Sequence, residues 1–244
     1  LRSRAISAPD VASLRQASGF LEQAVALDST FAEAWAALSI AQSRMYTNGN
    51  PTPLVSRRAR EALERARTLA PDAARTRLAA ARYFQSIGRD AEQARAEMDL
   101  ALRAAPNDAD VLSASGLLDQ QAGDLGSSLA KLERAREIDP KAYTNLLNLA
   151  QTYAALDRAS DAEDAASAAA LVRPTDLNAI QWLAMTRVMQ GNLEGARAGI
   201  RSAMPGGVPA PSLQAHFAGY PETSWIRDAR ERGSDQSRDQ SRKH

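Results

Sequence analysis

Three prolines, Pro106, Pro140 and Pro174, stand 34 residues apart, and the residues ahead of each proline follow one pattern. We call the small or apolar residues at matching offsets before each proline the ladder. Its members are Ala94, Met98 and Ala101; Ser128, Leu132 and Ala135; and Ala162, Ala166 and Ala169. A period of this length indicates a repeat architecture, because each unit is one supersecondary element that can bury its apolar face only against its neighbours.

The pattern resembles the tetratricopeptide repeat (TPR), which joins a W-x2-L-G-x2-Y half to an A-x3-F-x2-A half and a closing proline. Trp35 and Leu38 take the aromatic and leucine positions of the first complete unit. The resemblance implies an all-α fold, a right-handed α-solenoid of stacked antiparallel helix pairs, with about twelve helices. It also implies that the first helix of each pair lines a concave inner surface.

The repeat array is assigned to residues 10–204, with a half repeat at 10–29 and five units at 32–71, 74–106, 109–140, 143–174 and 177–204. Residues 1–9 are expected to be a flexible lead-in, and Asp10 to be the N-cap of the first helix. The half repeat matches only the second half of a unit, with its ladder at Ala17, Leu21 and Ala24. The array therefore opens on a second helix whose partner is missing or degenerate.

Two units depart from the period. The first carries about eight extra residues at 46–53, where Asn-Gly and two prolines predict a surface loop rather than a functional one, because loops absorb length at little cost. The second carries one extra residue, expected at the turn near Gly88.

Gly123 and Gly191 lie at the turns between paired helices, where a positive φ is usually required, and Asp157 fills the equivalent turn of the fourth unit.

The pattern stops after residue 204. Residues 205–232 are expected to form a linker rich in proline and glycine and then one or two capping helices, with Phe217 and Trp225 covering the end of the fifth unit. Residues 233–244 are polar and low in complexity and should be disordered. The long first unit and this ending are similar to the C-terminal TPR region of bacterial signalling proteins of the serine/threonine-kinase or nucleotide-cyclase type. No catalytic residue carries over from that resemblance.

The composition excludes several classes of function. Thirty Lys and Arg against 29 Asp and Glu give a net charge of +1, which offers no electrostatic reason to expect a nucleic-acid partner. No apolar run is long enough for membrane insertion. Enzyme motifs are absent, and the two histidines, His216 and His244, lie outside the units, so we predict no enzymatic activity, cofactor or metal. The absence of cysteine leaves the compartment open.

The inward positions of the first helices hold the candidate binding residues. Some TPR domains grip a peptide C-terminus with Lys, Asn and Arg at such positions, and only Asn148 fits that two-carboxylate clamp here. The third to fifth units instead present amides among apolar side chains, which can hydrogen-bond an extended backbone. The predicted peptide-binding residues are Gln120, Gln121, Leu147, Asn148, Gln151, Asn178, Gln181 and Met185.

The sequence thus predicts a non-catalytic scaffold that binds a protein or peptide segment in its concave groove. Two alternatives stay open. The solenoids could stack head to tail into filaments, in which case the partner is a further copy of the chain. The array could also be the regulatory region of a larger bacterial signalling enzyme.

The repeat register makes a prediction at Leu132, which takes the central position of its ladder. Leu132→Ala should lower the free energy of unfolding by about 2–5 kcal/mol, because it leaves a void between packed helices. Urea denaturation followed by circular dichroism measures this loss. A neutral substitution would mean that the register is misplaced.

Overall fold

The computed structural model describes residues 8–48 and 51–203, and these residues form α-helices that pack in consecutive pairs. The helices are α1 (Ala8–Leu27), α2 (Ala32–Thr47), α3 (Pro53–Leu69), α4 (Ala74–Tyr83), α5 (Ala91–Ala104), α6 (Ala109–Ala122), α7 (Leu125–Ile138), α8 (Tyr143–Ala155), α9 (Ala159–Val172), α10 (Leu177–Met189) and α11 (Leu193–Ala203). In each unit the first helix packs on the second: α2 on α3, α4 on α5, α6 on α7, α8 on α9 and α10 on α11. The predicted all-α solenoid is confirmed.

The turns between paired helices repeat with the sequence period. Four residues with positive φ, each 34 positions from the next, close these turns: Arg89, Gly123, Asp157 and Gly191. At the end of α6, the Gly123 N–H donates to the Gln120 carbonyl at 3.1 Å. The Asp124 N–H donates to the Asp119 carbonyl at 3.0 Å, which completes a Schellman motif and satisfies the last carbonyls of the helix. The positive φ expected at Gly123 and Gly191 is confirmed.

The first helix begins earlier than predicted. Asp10 is not an N-cap, because α1 already begins at Ala8. Pro9 therefore lies in the first turn, where a proline is well tolerated, since its fixed φ suits the helix and its missing N–H has no intrahelical acceptor there.

The extra residues of the first two units mostly lengthen helices. Helices α2 and α3 run for 16 and 17 residues, against 14 each in α6 and α7, so the 46–53 insertion is only partly a loop. Thr52 caps α3, and Pro53 is its first residue. In the second unit, α4 continues into a π-helix at Phe84–Gly88, whose wider turn absorbs the one extra residue. The left-handed turn residue is consequently Arg89 and not Gly88.

The core is a line of close helix contacts at the ladder. The ladder of α3 consists of Ala59, Leu63 and Ala66. In α3, α5, α7 and α9 every ladder residue is at most 2% exposed, and Leu132, at the centre of the α7 ladder, is fully buried. The contact is closest at Gly116 in α6. A Cβ at Gly116 would stand 2.8 Å from Cγ of Leu132 and 3.1 Å from the carbonyl oxygen of Ser128. Paired helices therefore approach to van der Waals contact, and only small residues fit at the crossing.

Polar contacts join each unit to the next. Each involves the second helix of the earlier unit: Arg67 with Glu97, Arg95 with Asp119, Glu133 with Tyr153, and Glu163 with Arg187. Asp119 is the most buried of these acids, and Lys131 also donates to its carboxylate. A buried carboxylate is costly unless it has such partners, so these contacts are expected to be kept. They therefore help to fix the orientation of each unit relative to the next.

Part of the prediction lies outside the described residues, namely the linker and capping helices at 205–232, with Phe217 and Trp225, and the tail at 233–244. Within the described helices, none is both long and apolar enough to cross a lipid bilayer.

The close approach at Gly116 can be tested by adding one methyl group. Gly116→Ala should lower the free energy of unfolding by about 1–3 kcal/mol, because the new Cβ overlaps Leu132 and backbone that cannot move freely. Gly126→Ala is the matched control in the first turn of α7, where the nearest atom would stand 3.8 Å away. That substitution should be neutral or stabilise by up to about 1 kcal/mol. Equal effects of the two variants would contradict the packing described for α6 and α7.

Candidate interaction groove

The first helices form the inner side of the solenoid. Successive first helices contact one another (α2 with α4, α4 with α6, α6 with α8, and α8 with α10). The backbones of successive described second helices lie farther apart, and α3 and α5 meet through the long side chains of Arg67 and Glu97. A stack whose first helices are close and whose second helices are spread is concave on the first-helix side. The inward residues of α2, α4, α6, α8 and α10 therefore line a continuous groove.

Two of the predicted binding residues take part in packing between the third and fourth units. The half-buried Gln120 donates from Nε2 to Oγ1 of Thr152 at 3.0 Å. The Thr152 hydroxyl in turn donates to the carbonyl of Asn148 at 2.9 Å and lies 3.4 Å from the Ser128 hydroxyl. Asn148 is itself buried, and none of the described residues hydrogen-bonds to its Nδ2. Gln120 is thus engaged at the unit junction, and the Asn148 side chain is buried there rather than open to the groove.

Gln121 has a different environment. Its side chain is exposed, and its Oε1 accepts a hydrogen bond of 2.7 Å from Nε2 of Gln85 in the preceding unit. The amide pair bridges two first helices at the groove surface. Each amide keeps further donor or acceptor capacity, because a glutamine side chain offers two N–H donors and a carbonyl with two lone pairs.

The remaining predicted residues lie half-buried along α8 and α10. Leu147 packs against the cluster that contains Leu146. Gln181 places Nε2 3.5 Å from Sδ of Met185, so the amide and the thioether share one patch. The other two half-buried members are Gln151 and Asn178. The structure therefore brings amide and apolar side chains together in the fourth and fifth units, as the sequence pattern suggests.

At the other end of the array, charged residues line the groove. Where α2, α4 and α6 begin, Arg75 lies between two acids. It donates to Asp110 at 2.7 Å, a hydrogen bond that raises the pKa of Arg75, and Glu33 acts on it from the other side. This pair is exposed and neutral overall, so it adds little charge to the groove.

A second charged group lies where α2 and α4 end, and sequence reasoning did not single it out. Burial, and then the like charge of Arg44, lower the pKa of Arg82 to about 10, while the negative charge of Asp110 acts in the opposite direction. The Arg82 guanidinium makes one long contact, 3.4 Å to Oε1 of Gln85. Within the described residues no acidic side chain forms an ion pair with Arg44 or Arg82. This arginine pair is an unbalanced positive spot in the groove.

The sequence offered one signal for the pair. Arg44 and Arg82 both occupy inward positions but stand 38 residues apart. Because α2 begins at Ala32 and α4 at Ala74, equivalent positions of the two helices are 42 residues apart, so Arg44 and Arg82 lie about one helical turn out of step.

Comparisons with known proteins support the fold. Protein-family models and curated protein sequences give no match. Solved structures do match. Human IFIT1, in a dimer with m7Gppp-AAAA, is 17% identical with a TM-score of 0.68, covering 86% of this chain and 51% of IFIT1. Cut9, in the APC/C hetero-tetramer Cut9-Hcn1, is 15% identical with a TM-score of 0.65, covering 88% and 39%.

A third similar structure is PilW, a type IV pilus biogenesis factor, at 19% identity and a TM-score of 0.58, covering 87% of this chain and 90% of PilW. These neighbours are helical repeat proteins of the TPR type, so they confirm the predicted architecture. The chain spans only about half the length of IFIT1. At these identities the likeness shows the fold alone.

The arginine pair predicts opposite effects for two similar substitutions. Arg82→Met should leave the free energy of unfolding unchanged or raise it by up to about 1 kcal/mol, because it removes a half-buried charge that Arg44 repels and that has no ion pair among the described residues. Arg75→Met, the control, should lower it by up to about 1 kcal/mol, because it breaks the exposed pair with Asp110. Thermal and urea unfolding measure both. If Arg82→Met is the more destabilising variant, the guanidinium is held by favourable contacts and the description of the pair is wrong.

Proposed function

We propose that this protein is a non-catalytic interaction scaffold that binds an extended protein segment along its concave groove. One observation carries the proposal. The groove surface carries amide side chains from the Gln85–Gln121 pair of the second and third units to Gln181 of the fifth, and in the fourth and fifth units half-buried Leu147 and Met185 lie among them.

Amide side chains suit an extended backbone. Each peptide unit of a bound segment loses water from one N–H and one C=O, and both need replacement hydrogen bonds. A glutamine can donate to the carbonyl and accept from the N–H. Half-buried Leu147 and Met185 lie among these amides and can accept apolar side chains of the segment, and methionine adapts well to different shapes.

The structural neighbours agree with an interaction role and differ in their partners. Cut9 was solved together with Hcn1, a second component of its hetero-tetramer, and IFIT1 with a capped RNA. We favour a protein segment over RNA for this chain. Its net charge is only +1, and the Arg75 charge in the groove is balanced by Asp110. The excess of cations identified in the groove is the pair Arg44 and Arg82, whereas binding along a phosphate backbone relies on a larger excess.

A role as the regulatory part of a larger bacterial signalling enzyme is compatible with this proposal and stays a prediction. Head-to-tail self-assembly is the alternative from a different class, since it makes another copy of the chain the partner. Light scattering at rising concentration separates it from binding of a foreign segment.

The groove proposal is tested by the double variant Gln151→Ala/Gln181→Ala. A partner captured from the source organism should bind the variant more weakly by about 1–3 kcal/mol in total, because two hydrogen bonds to its backbone are lost. Thermal stability should change by less than about 0.5 kcal/mol. Isothermal titration with the purified partner gives the affinity.

Gln93→Ala serves as the control, because Gln93 is an exposed amide on the second helix α5, outside the groove. It should leave the affinity unchanged. Capture that is abolished by ribonuclease would indicate an RNA partner and would contradict the choice of a protein segment. Full affinity in the double variant would place the binding surface elsewhere.

A further inference from the structure

Helix α1 differs from the other second helices in the exposure of its ladder. In α3, α5, α7 and α9 the ladder is at most 2% exposed, because the first helix of the same unit covers it. In α11, Ala196 and Ile200 are buried in the same way under α10. In α1, by contrast, Ala17 is exposed, and Leu21 and Ala24 are only half-buried. Among the described helices, none occupies the place of a first helix beside α1.

That place is an open cavity of about 440 Å³. One wall is the α1 stripe that contains Ala17, Leu21 and Ala24, and the other is the face of α2 that contains Ala37 and Ile40. We call this cavity the α1 slot. Alanines lie on both walls among larger apolar side chains, so a helix that packs its own apolar side chains between them can approach closely.

The charges at the two ends of the slot differ in sign. Glu33 and Arg75 line the end where α2 begins, and because Arg75 is paired with Asp110, that end keeps the negative charge of Glu33. Arg44 lines the end where α2 finishes, eleven residues and about 16 Å along the helix. Arg82 adds a second positive charge beside Arg44. A helix that runs parallel to α2 would place the positive end of its dipole near Glu33 and the negative end near the arginine pair. The charge pattern thus selects both a helix and its direction.

We propose that the α1 slot binds one helix of another protein, parallel to α2, with a face of small and apolar residues and an acidic residue in its last turn. The occupant completes the half repeat at 10–29, of which α1 is the second helix. This site is separate from the amide groove of the second to fifth units, and it stands whether or not that groove binds an extended segment.

The chain contains no cysteine, so a single introduced thiol reports on the slot without interference. Ala17→Cys places the thiol in the slot, Gln23→Cys places one on an exposed part of α1, and Ala166→Cys places one on a covered ladder. In the full chain, Cys at position 17 should react with a maleimide at nearly the rate measured at position 23. The thiol at position 166 should react at least about a hundredfold more slowly, because it reacts only when the array opens.

The occupant is represented by three synthetic 14-residue helices with one alanine and leucine face, each fixed by a side-chain crosslink on the opposite face. They differ only in the last turn, which carries Glu, Gln or Lys. The Glu peptide should slow labelling at position 17 by about tenfold or more at a concentration where the Lys peptide has little effect. Labelling at position 23 should not change. In the double variant Arg44→Glu/Arg82→Glu, carrying the same thiol, the Lys peptide should become the better protector.

Three results would overturn the proposal. Labelling at position 17 as slow as at position 166 would mean that the chain itself already fills the slot. No protection by any of the peptides would mean that the slot does not accept a helix. Equal protection by the Glu, Gln and Lys peptides, unchanged by the charge reversal, would refute the role of the arginine pair.

Discussion

The close crossing of two helices over small residues is the contact on which the whole structure depends. At Gly116 there is no room for a methyl group, and the opposing Leu132 is fully buried. Small residues take the matching positions of the fourth and fifth units, Ala150 and Ala184, and the ladder recurs every 34 residues from the second unit to the fifth. A single helix pair leaves one face of each helix uncovered, so stability comes from the interfaces between neighbours rather than from one large central core. The proposed function rests on the same stacking, because the stacked first helices produce a long concave surface.

Much of this fold could be predicted from the sequence, and the exceptions have physical causes. Periodicity located the units, and the turn chemistry located Gly123 and Gly191. Turn chemistry could not show that Arg89 adopts the left-handed conformation at the equivalent turn of the second unit, because the π-helix at Phe84–Gly88 moves that turn one residue along the chain. The first-unit insertion looked like a loop, since Asn-Gly and proline are turn residues. Helix extension absorbed most of it, with Pro53 acting as a helix start.

The groove was harder to predict than the fold. The helical period places adjacent residues such as Gln120 and Gln121 in very different surroundings, so an error of one position separates packing from surface. Gln120 is bound to Thr152 between units, whereas Gln121 lies on the groove surface. The pairing of Arg44 with Arg82 depended on the actual lengths of α2 and α4, which local sequence does not determine. The sequence therefore indicated the kinds of side chain along the groove more reliably than it indicated which contacts each side chain makes.

We infer that each unit is stable because its first helix covers the ladder of its second helix. The exchange rates of backbone amides test this most directly. Both α1 and α11 are the terminal described helices, but only α11 has its ladder covered. Although α1 has 20 residues and α11 only 11, the account predicts that central amides of α11 exchange more slowly than those of α1, by about tenfold or more. Equal protection of the two helices, or greater protection of α1, would contradict it.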